Sequence, residues 1–353
     1  MSPLVAFLRL SCHGCSILAS RCHGVLLERA RHTARLPMKI SIITVSYNAA
    51  SVIEGCLRSV AEQSHREIEH IVIDGRSDDG TVGVARGFPH VTALVSEPDR
   101  GIYDAMNKGL EHVTGDFVLF LNADDRFASR AALARAVAKI EQDPGGDVYY
   151  GCLHVRPEDG PPHVFRPPKP ADAATFMVCG CLPHQSTLAR PSVFARTGRF
   201  DLRYRYHADY DWFLKVLADP AIDVRLMDAV VGSFRLGGAS SRLAEGQPEV
   251  YAIQNASALY SSPEWDRRRI AALQEALLQE RIETARLRDE MRDLRASGHR
   301  VSLAWAWRHG ALRAVCIPAS LRDILRWVRR SRGIRPSPPV SPAPPPAPPP
   351  GSP

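Results

Sequence analysis

From residue 39 onward, short uninterrupted apolar runs alternate with stretches in which apolar positions recur every three or four residues. The runs "KISIITVS" (39–46), "IEHIVID" (68–74), "VTALVS" (91–96) and "FVLFLN" (117–122) are rich in β-branched and aromatic residues, the pattern of strands buried on both faces. Between the first two, "SVIEGCLRSVAEQ" puts Val52, Ile53, Leu57 and Val60 on one helical face, and further helices are predicted over 82–86 and in "YDAMNKGLEHV". This alternation predicts an α/β fold with a mostly parallel central sheet flanked by helices. Ligands of such sheets bind beyond the carboxyl ends of the strands, and Asp74 and Asp124 stand at two of those ends.

After a helix predicted at 130–142 the pattern changes. Short strands are expected in "DVYYGCLHV" and "HVFRP", then a proline-rich loop, "CLPHQSTLAR", a helix starting near Tyr210, and a strand in "VRLMDAVVGSFRLGG". The core domain is therefore placed at 38–245, in two halves, 38–126 and 127–245. From Ile270 the apolar spacing becomes 3-4-3-4 through Leu273, Leu277, Glu280, Thr284, Leu287, Met291 and Leu294. That fits self-association through a short coiled coil over 270–294, or a plain surface helix. In 301–332, Leu321, Ile324, Leu325 and Val328 share a helical face, with arginines elsewhere and Trp305, Trp307 and Trp327 nearby. This is the pattern of a helix lying on a membrane surface, with packing on the core as the alternative. Residues 246–334 are thus read as a helical extension and 335–353, mostly proline, as an extended tail.

Charge and cysteine content narrow the function. The 353-residue chain carries a formal charge of +7, but nine arginines face Asp323 alone between 300 and 335. The rest is near neutral, which argues against nucleic acid as a partner. The eight cysteines form no regular disulfide framework. Cys12, Cys15 and Cys22 invite a zinc reading, but a closed second pair of ligands is missing. Residues 1–37 read as a leader or extension outside the fold, with apolar runs too short to span a membrane.

The chemistry concentrates in four places: Asp74, "EPDRGIYDAMNKG" (97–109), "NADD" (122–125) and "HADYDW" (207–212). An apolar strand ending in Asp124 and Asp125 needs something to accept those charges, because an unpaired buried carboxylate costs several kcal/mol. A divalent cation shared with a diphosphate would do so. Taken singly, each acid also fits a cap or an ion pair, and Asp125 fits a cap of the following helix.

In their order, "ISIITVSYN", "IDGRSDDGT", "EPDRGIYDAMNKG", "FLNADD", "HQS" and "ADYDWFLK" resemble the family 2 glycosyltransferases of the GT-A fold, in particular those that build bacterial surface polysaccharides. The resemblance runs from about Lys39 to about Ser240. It implies a metal-dependent, inverting transfer from a nucleotide-sugar donor to a saccharide or lipid-linked acceptor, and the basic, tryptophan-containing segment 301–332 suggests the cytoplasmic face of the membrane as its location. The first half would bind the donor and the second the acceptor. It further implies that Val45, Ser46, Tyr47 and Asn48 line the nucleotide pocket and that Asp74 reads the nucleobase. Asn122-Ala123-Asp124 would correspond to the Asp-X-Asp motif, with Asp124 holding Mg2+ or Mn2+ on the diphosphate. Asp209 would be the catalytic base, with Asp211 the alternative, while His184, Gln185 and Trp212 would face acceptor or donor.

Three positions depart from the family pattern. Asn122 replaces the first motif acid, so metal affinity rests on Asp124 alone. Ala208 replaces the Glu before the base. Met106 replaces an Arg before Asn107, so contact with the diphosphate passes to Arg100 or Lys108. Two alternatives stay open: a non-catalytic sugar-nucleotide-binding or scaffold protein on the same fold, and a sugar nucleotidyltransferase. A dinucleotide enzyme is disfavoured, because no glycine-rich loop follows the first strand.

Overall fold

The computed structural model describes residues 37–157, 161–236 and 243–296. The expected leader (1–37), the basic tryptophan-containing segment (301–332) and the proline-rich tail (335–353) lie outside these residues, apart from residue 37.

The apolar runs form the strands they predict. β1 (Ile40–Ser46), β2 (Ile68–Asp74), β3 (Val91–Ser96) and β4 (Phe117–Phe120) make a parallel block in the order β3-β2-β1-β4. Along β1 the side chains alternate between two cores, as a period of two requires. Ile43 and Val45 pack with Ile71, Ile73, Val118 and Phe120 on one face, while Ile40 and Ile42 pack with Phe117, Leu119 and Leu121 on the other.

Helices cover both faces. On the second face lie α1 (Ile53–Ala61), through Cys56 and Val60, and α4 (Ala132–Gln142), through Leu133, Ala136 and Ile140. The short α2 (Thr81–Arg86) stands between β2 and β3. On the first face, α3 (Ile102–Gly109) contributes Tyr103, Ala105 and Met106. Close approach of α3 requires Gly109, since a Cβ there would lie 2.5 Å from Cγ2 of Ile43.

The sheet continues past β4 with mixed direction, through β8 (Thr187–Ala189), β6 (Val148–Arg156), β9 (Val224–Arg235) and β5 (Arg126–Phe127), while β7 (His163–Phe165) pairs with β6. β8 runs antiparallel to both β4 and β6, and β6 runs parallel to β9. One sheet therefore joins both predicted halves. The proline-rich stretch and the segment after β8 each contain a short helix, α5 (Pro170–Phe176) and α6 (Pro191–Thr197), and both start on proline. Proline is favoured there because its missing N–H has no partner in the first turn anyway. Asp125 does not cap the next helix: β5 intervenes, and α4 starts at Ala132 with no side-chain cap.

α7 (Ala208–Ala218) closes the first face with Trp212, Phe213 and Val216. α8 (Leu243–Ala256) is tied to it by the amide of Gln254, which donates to the Tyr210 hydroxyl at 2.8 Å. The predicted heptad stretch belongs to α9 (Pro263–Ala296), whose start docks through Trp265 and Ala272. On the same helix, Ile270, Leu273, Leu277, Leu278 and Ile282 are exposed. No helix among the described residues is long and apolar enough to cross a membrane.

Candidate active site

The carboxyl ends of β1 and β2 carry two interlocked loops. Asn48 adopts φ +47°, a left-handed conformation that Asn tolerates better than most residues. Its N–H donates to Ser77 Oγ at 2.8 Å, and its side-chain oxygen accepts from the Asp78 N–H. Asp74 is fully buried. It accepts from Ser46 Oγ, Ser96 Oγ, and both the N–H and the hydroxyl of Ser77. Burial alone would raise its pKa, but these hydrogen bonds hold it below the usual carboxylate range. The expected nucleobase reader thus has its acceptors occupied by the surrounding loops. Val45 is buried beneath this surface, while Tyr47 is 68% exposed on it.

"EPDRGIYDAMNKG" is also tied to itself more than expected. Arg100 pairs with Asp104 at 3.0 Å, and Lys108 pairs with Glu97 at 2.7 Å while donating to the Pro98 carbonyl. Asn107 clamps Phe200, donating to its carbonyl at 2.8 Å and accepting from its N–H at 3.0 Å. Met106 is a core residue. Tyr103 was not singled out by sequence reasoning, although it lies within this segment. Its hydroxyl reaches Asp209 Oδ1 at 2.6 Å.

Asp209 lies in the first turn of α7 and is 8% exposed. A helix N-terminus favours a carboxylate. Its other oxygen, Oδ2, accepts from His184 Nδ1 at 3.0 Å. Burial pushes its pKa up, but the hydrogen bond and charge of His184 and the hydroxyl of Tyr103 hold it below the ordinary value. His184 is raised in turn: burial opposes its charging, but Asp209, then Asp125 and Asp124, outweigh it. Asp211 binds Lys215 at 2.7 Å.

His184 opens a short turn, 184–186, that β6 and β9 hold in place. Ser186 Oγ donates to the Cys152 carbonyl at 2.8 Å and accepts the Gly232 N–H at 2.9 Å. The Ser of "HQS" therefore positions the His, a role the motif alone did not disclose. Beyond the ring, His184 Nε2 is 3.4 Å from Asn122 Nδ2, and the Asn122 Oδ1 is buried without a partner. Ala123 is buried, with its N–H on the Val45 carbonyl. Trp212, expected to face acceptor or donor, is 3% exposed and stacked on Phe194, with ring centroids 4.6 Å apart.

The two acids of the strand tip differ. Asp125 is buried beside Gln185 and His184, and burial, then the charge of Asp124, raises it to about 7. Asp124 is half-buried and makes no side-chain hydrogen bond or ion pair with another described residue. No group of three or more His, Cys, Asp or Glu among the described residues is arranged to hold a metal by itself. A single available carboxylate still fits Mg2+ or Mn2+, because such ions take one or two protein carboxylates and fill their remaining positions with substrate phosphates and water.

Residues 41–183 match the family described as "Glycosyl transferase family 2". Over 210 residues the chain is 33% identical to a protein of Mycobacterium bovis named "PGL/p-HBAD biosynthesis glycosyltransferase", covering 58% of this chain and 80% of that one. Over 181 residues it is 34% identical to an uncharacterized glycosyltransferase of Mycobacterium tuberculosis, covering 50% and 68%. Among solved structures, S. aureus TarS in complex with UDP-GlcNAc superposes with a TM-score of 0.54 at 18% identity, covering 67% of this chain and 72% of that one. That likeness establishes the GT-A fold.

Proposed function

The chain belongs to glycosyl transferase family 2 and is a glycosyltransferase, and from that premise we propose that it moves a sugar, with inversion, from a nucleotide donor to a saccharide or lipid-linked acceptor. The observation that carries this reading is the chain of contacts from Asp209 through His184 to Asn122, at 3.0 and 3.4 Å. It sets an acid–base centre beside the strand tip that bears Asp124.

The nucleoside lies on the Val45–Asn48 turn, where the exposed ring of Tyr47 offers a stacking surface. A divalent cation on Asp124 would neutralise the diphosphate and favour its departure. Arg100 is 76% exposed, and its largely buried partner Asp104 also accepts the Arg100 N–H and lies 4.0 Å from Lys108 Nζ, so it keeps partners if the guanidinium leaves. The guanidinium can therefore turn to the departing diphosphate. The Asp209 centre removes the acceptor's proton as its oxygen attacks opposite the leaving group, so the anomeric configuration inverts. Fixed donors and charges act here because they need no reorganisation as charge develops.

The acceptor lies against the second half, near His184 and Gln185. We place the reaction at the cytoplasmic membrane face, with 301–332 as the contact, and self-association on the exposed stripe of α9. UDP-GlcNAc in the TarS complex supports a nucleotide-sugar donor. Calorimetric titration with UDP-GlcNAc, GDP-mannose and related donors, with Mg2+ or with chelator, tests the donor half. Metal-dependent binding that weakens at least ten-fold in Asp124→Ala is expected. Binding indifferent to both metal and Asp124 would remove the metal assignment.

A further inference from the structure

The helix that carries Asp209 starts without a cap of its own. His207 stands at the N-cap position of α7, and no side chain there accepts a hydrogen bond from the first turn. The first N–H groups of a helix have no partner within it, so the direction of such a turn has to be fixed from elsewhere. Here α8 supplies the contacts. One oxygen of the Glu249 carboxylate accepts the backbone N–H of Tyr206 at 2.7 Å, and the other accepts the N–H of Arg205. Glu245, one turn earlier on the same face of α8, accepts from the Tyr206 hydroxyl. Between the two acids Gly246 permits a close approach, since a Cβ there would lie 2.5 Å from His207 Nε2.

Tyr206 is held from its other side as well. Its carbonyl lies 2.8 Å from the Tyr103 hydroxyl, which donates to Asp209 Oδ1 at 2.6 Å. Resting on the transferase reading above, with Asp209 as the base, we propose that Glu249 is a positioning residue for the transfer. By holding Tyr206 against Tyr103 it sets the first turn of α7, and with it the direction of the Asp209 carboxylate toward the acceptor oxygen. Glu249 itself touches no reacting atom and exchanges no proton. Its hydrogen bonds are charge-assisted, and such bonds fix backbone N–H groups more firmly than a neutral acceptor does. The direction matters because a general base has to lie within hydrogen-bond reach of the proton it takes, and a misplacement of about 1 Å costs about 10² in rate.

Glu249 lies past residues 41–183, which match the family, and past the core boundary expected at 245. The other end of α8 is bound into the core by Gln254, whose amide donates to the Tyr210 hydroxyl at 2.8 Å and to the Val178 carbonyl at 3.0 Å, and by the buried Ile253. One helix thus holds Tyr206 before Asp209 and Tyr210 after it. The two holds differ in kind. Gln254 is buried and belongs to the packing, whereas Glu249 is half-buried and its hydrogen bonds among the described residues go to the entry turn. Its loss is therefore expected to free the turn without opening the core.

The test combines kinetics and spectroscopy on the full chain. In Glu249→Ala, kcat for nucleoside diphosphate release from UDP-GlcNAc or GDP-mannose is expected to fall by about 10², with the donor KM within about two-fold of wild type. Glu249→Gln keeps a single acceptor oxygen for two N–H groups and should lose only about three- to ten-fold. Combined with Tyr103→Phe, which releases Tyr206 from its other side, Glu249→Ala should cost less than the product of the two single losses. A second readout does not depend on turnover. The proton on His184 Nδ1, shared with Asp209 at 3.0 Å, gives a downfield NMR signal that should shift in Glu249→Ala and move back toward its wild-type position in Glu249→Gln. Wild-type kcat in either folded variant overturns the proposal, as does a loss that falls on the donor KM alone. A wild-type chain that turns over no nucleotide sugar, while the His184 signal still responds to Glu249→Ala, overturns the transferase reading and leaves the positioning of Asp209 standing.

Discussion

Tyr103 and Asp209 are 106 positions apart in the chain and meet at 2.6 Å, hydroxyl to carboxylate. The contact joins α3 to the first turn of α7 across the apolar first face, and the same hydroxyl lies 2.8 Å from the Tyr206 carbonyl just before that turn. Tyr103→Phe keeps the ring against Phe200, 5.5 Å away, and removes only that donor. A hydrogen bond to a charged group contributes about 1.5–3 kcal/mol. Stability by urea unfolding should drop by about that amount and turnover by about ten-fold, with donor affinity unchanged. Full turnover would show that the hydroxyl is not needed to hold Asp209.

Gly232 is where β9 passes the turn that carries His184. A Cβ at this position would lie 2.5 Å from the Gln185 carbonyl oxygen, which is backbone and cannot rotate aside. Gly232→Ala is therefore expected to shift the 184–186 turn, destabilise the fold by about 1–3 kcal/mol, and lower turnover more than stability alone explains. Unchanged kinetics in a folded variant would mean that the turn tolerates the shift.

A buried histidine sets an acid limit on stability. His70 is fully buried between Thr44 and His90, and burial, then the neighbouring His90, pulls its pKa from 6.5 down to about 3. It is the neutral form that the fold favours. Between pH 6.5 and 3 the unfolded chain binds a proton that the folded one does not, so stability is full above about 6.5 and falls with pH through that window. The slope approaches about 1.4 kcal/mol per pH unit. Glu69, held at about 2 against burial by Ser41, Thr114 and Lys39, adds its own loss only below about 4.5. Urea midpoints between pH 7 and 5 should therefore decline, and His70→Gln should flatten the decline. An equally steep decline in the variant would assign it elsewhere.

On α9, Ile270, Leu277 and Ile282 are about half exposed although the helix start is docked. If this stripe mediates self-association, Leu277→Glu with Ile282→Glu should convert a concentration-dependent dimer to monomer in light scattering. The melting temperature of the core should barely move. A wild type that stays monomeric across the accessible concentrations removes the coiled-coil reading.

The strands nearest the site were legible because burial on both faces leaves a mostly apolar, β-branched record, as in β1, β2 and β4. Less was written locally for the rest. β5 spans two residues, and α5 and α6 begin on prolines that read as loop. The order β8-β6-β9-β5 depends on pairings between distant segments. The site followed the same rule. The segments holding Asp124, His184 and Asp209 stood out, but their mutual contacts did not, nor did Tyr103 and Ser186, whose partners are remote in sequence. The resemblance puts Trp212 on the acceptor or donor side, whereas its indole belongs to an aromatic core with Phe194, Phe200 and Phe213. Asp74 stands at the expected strand end, but hydrogen bonds from nearby Ser77 and from the remote Ser46 and Ser96 fill its acceptors.

The central claim is that the Asp209 centre and Asp124 together carry glycosyl transfer. Nucleoside diphosphate release by the purified full chain, with a panel of nucleotide sugars, Mg2+ or Mn2+, and saccharide or lipid-linked acceptors, measures it directly. Release is predicted to require metal and to fall by at least about 10² in Asp209→Asn while donor binding persists. Metal-independent release, or release that survives Asp209→Asn intact, would contradict the account.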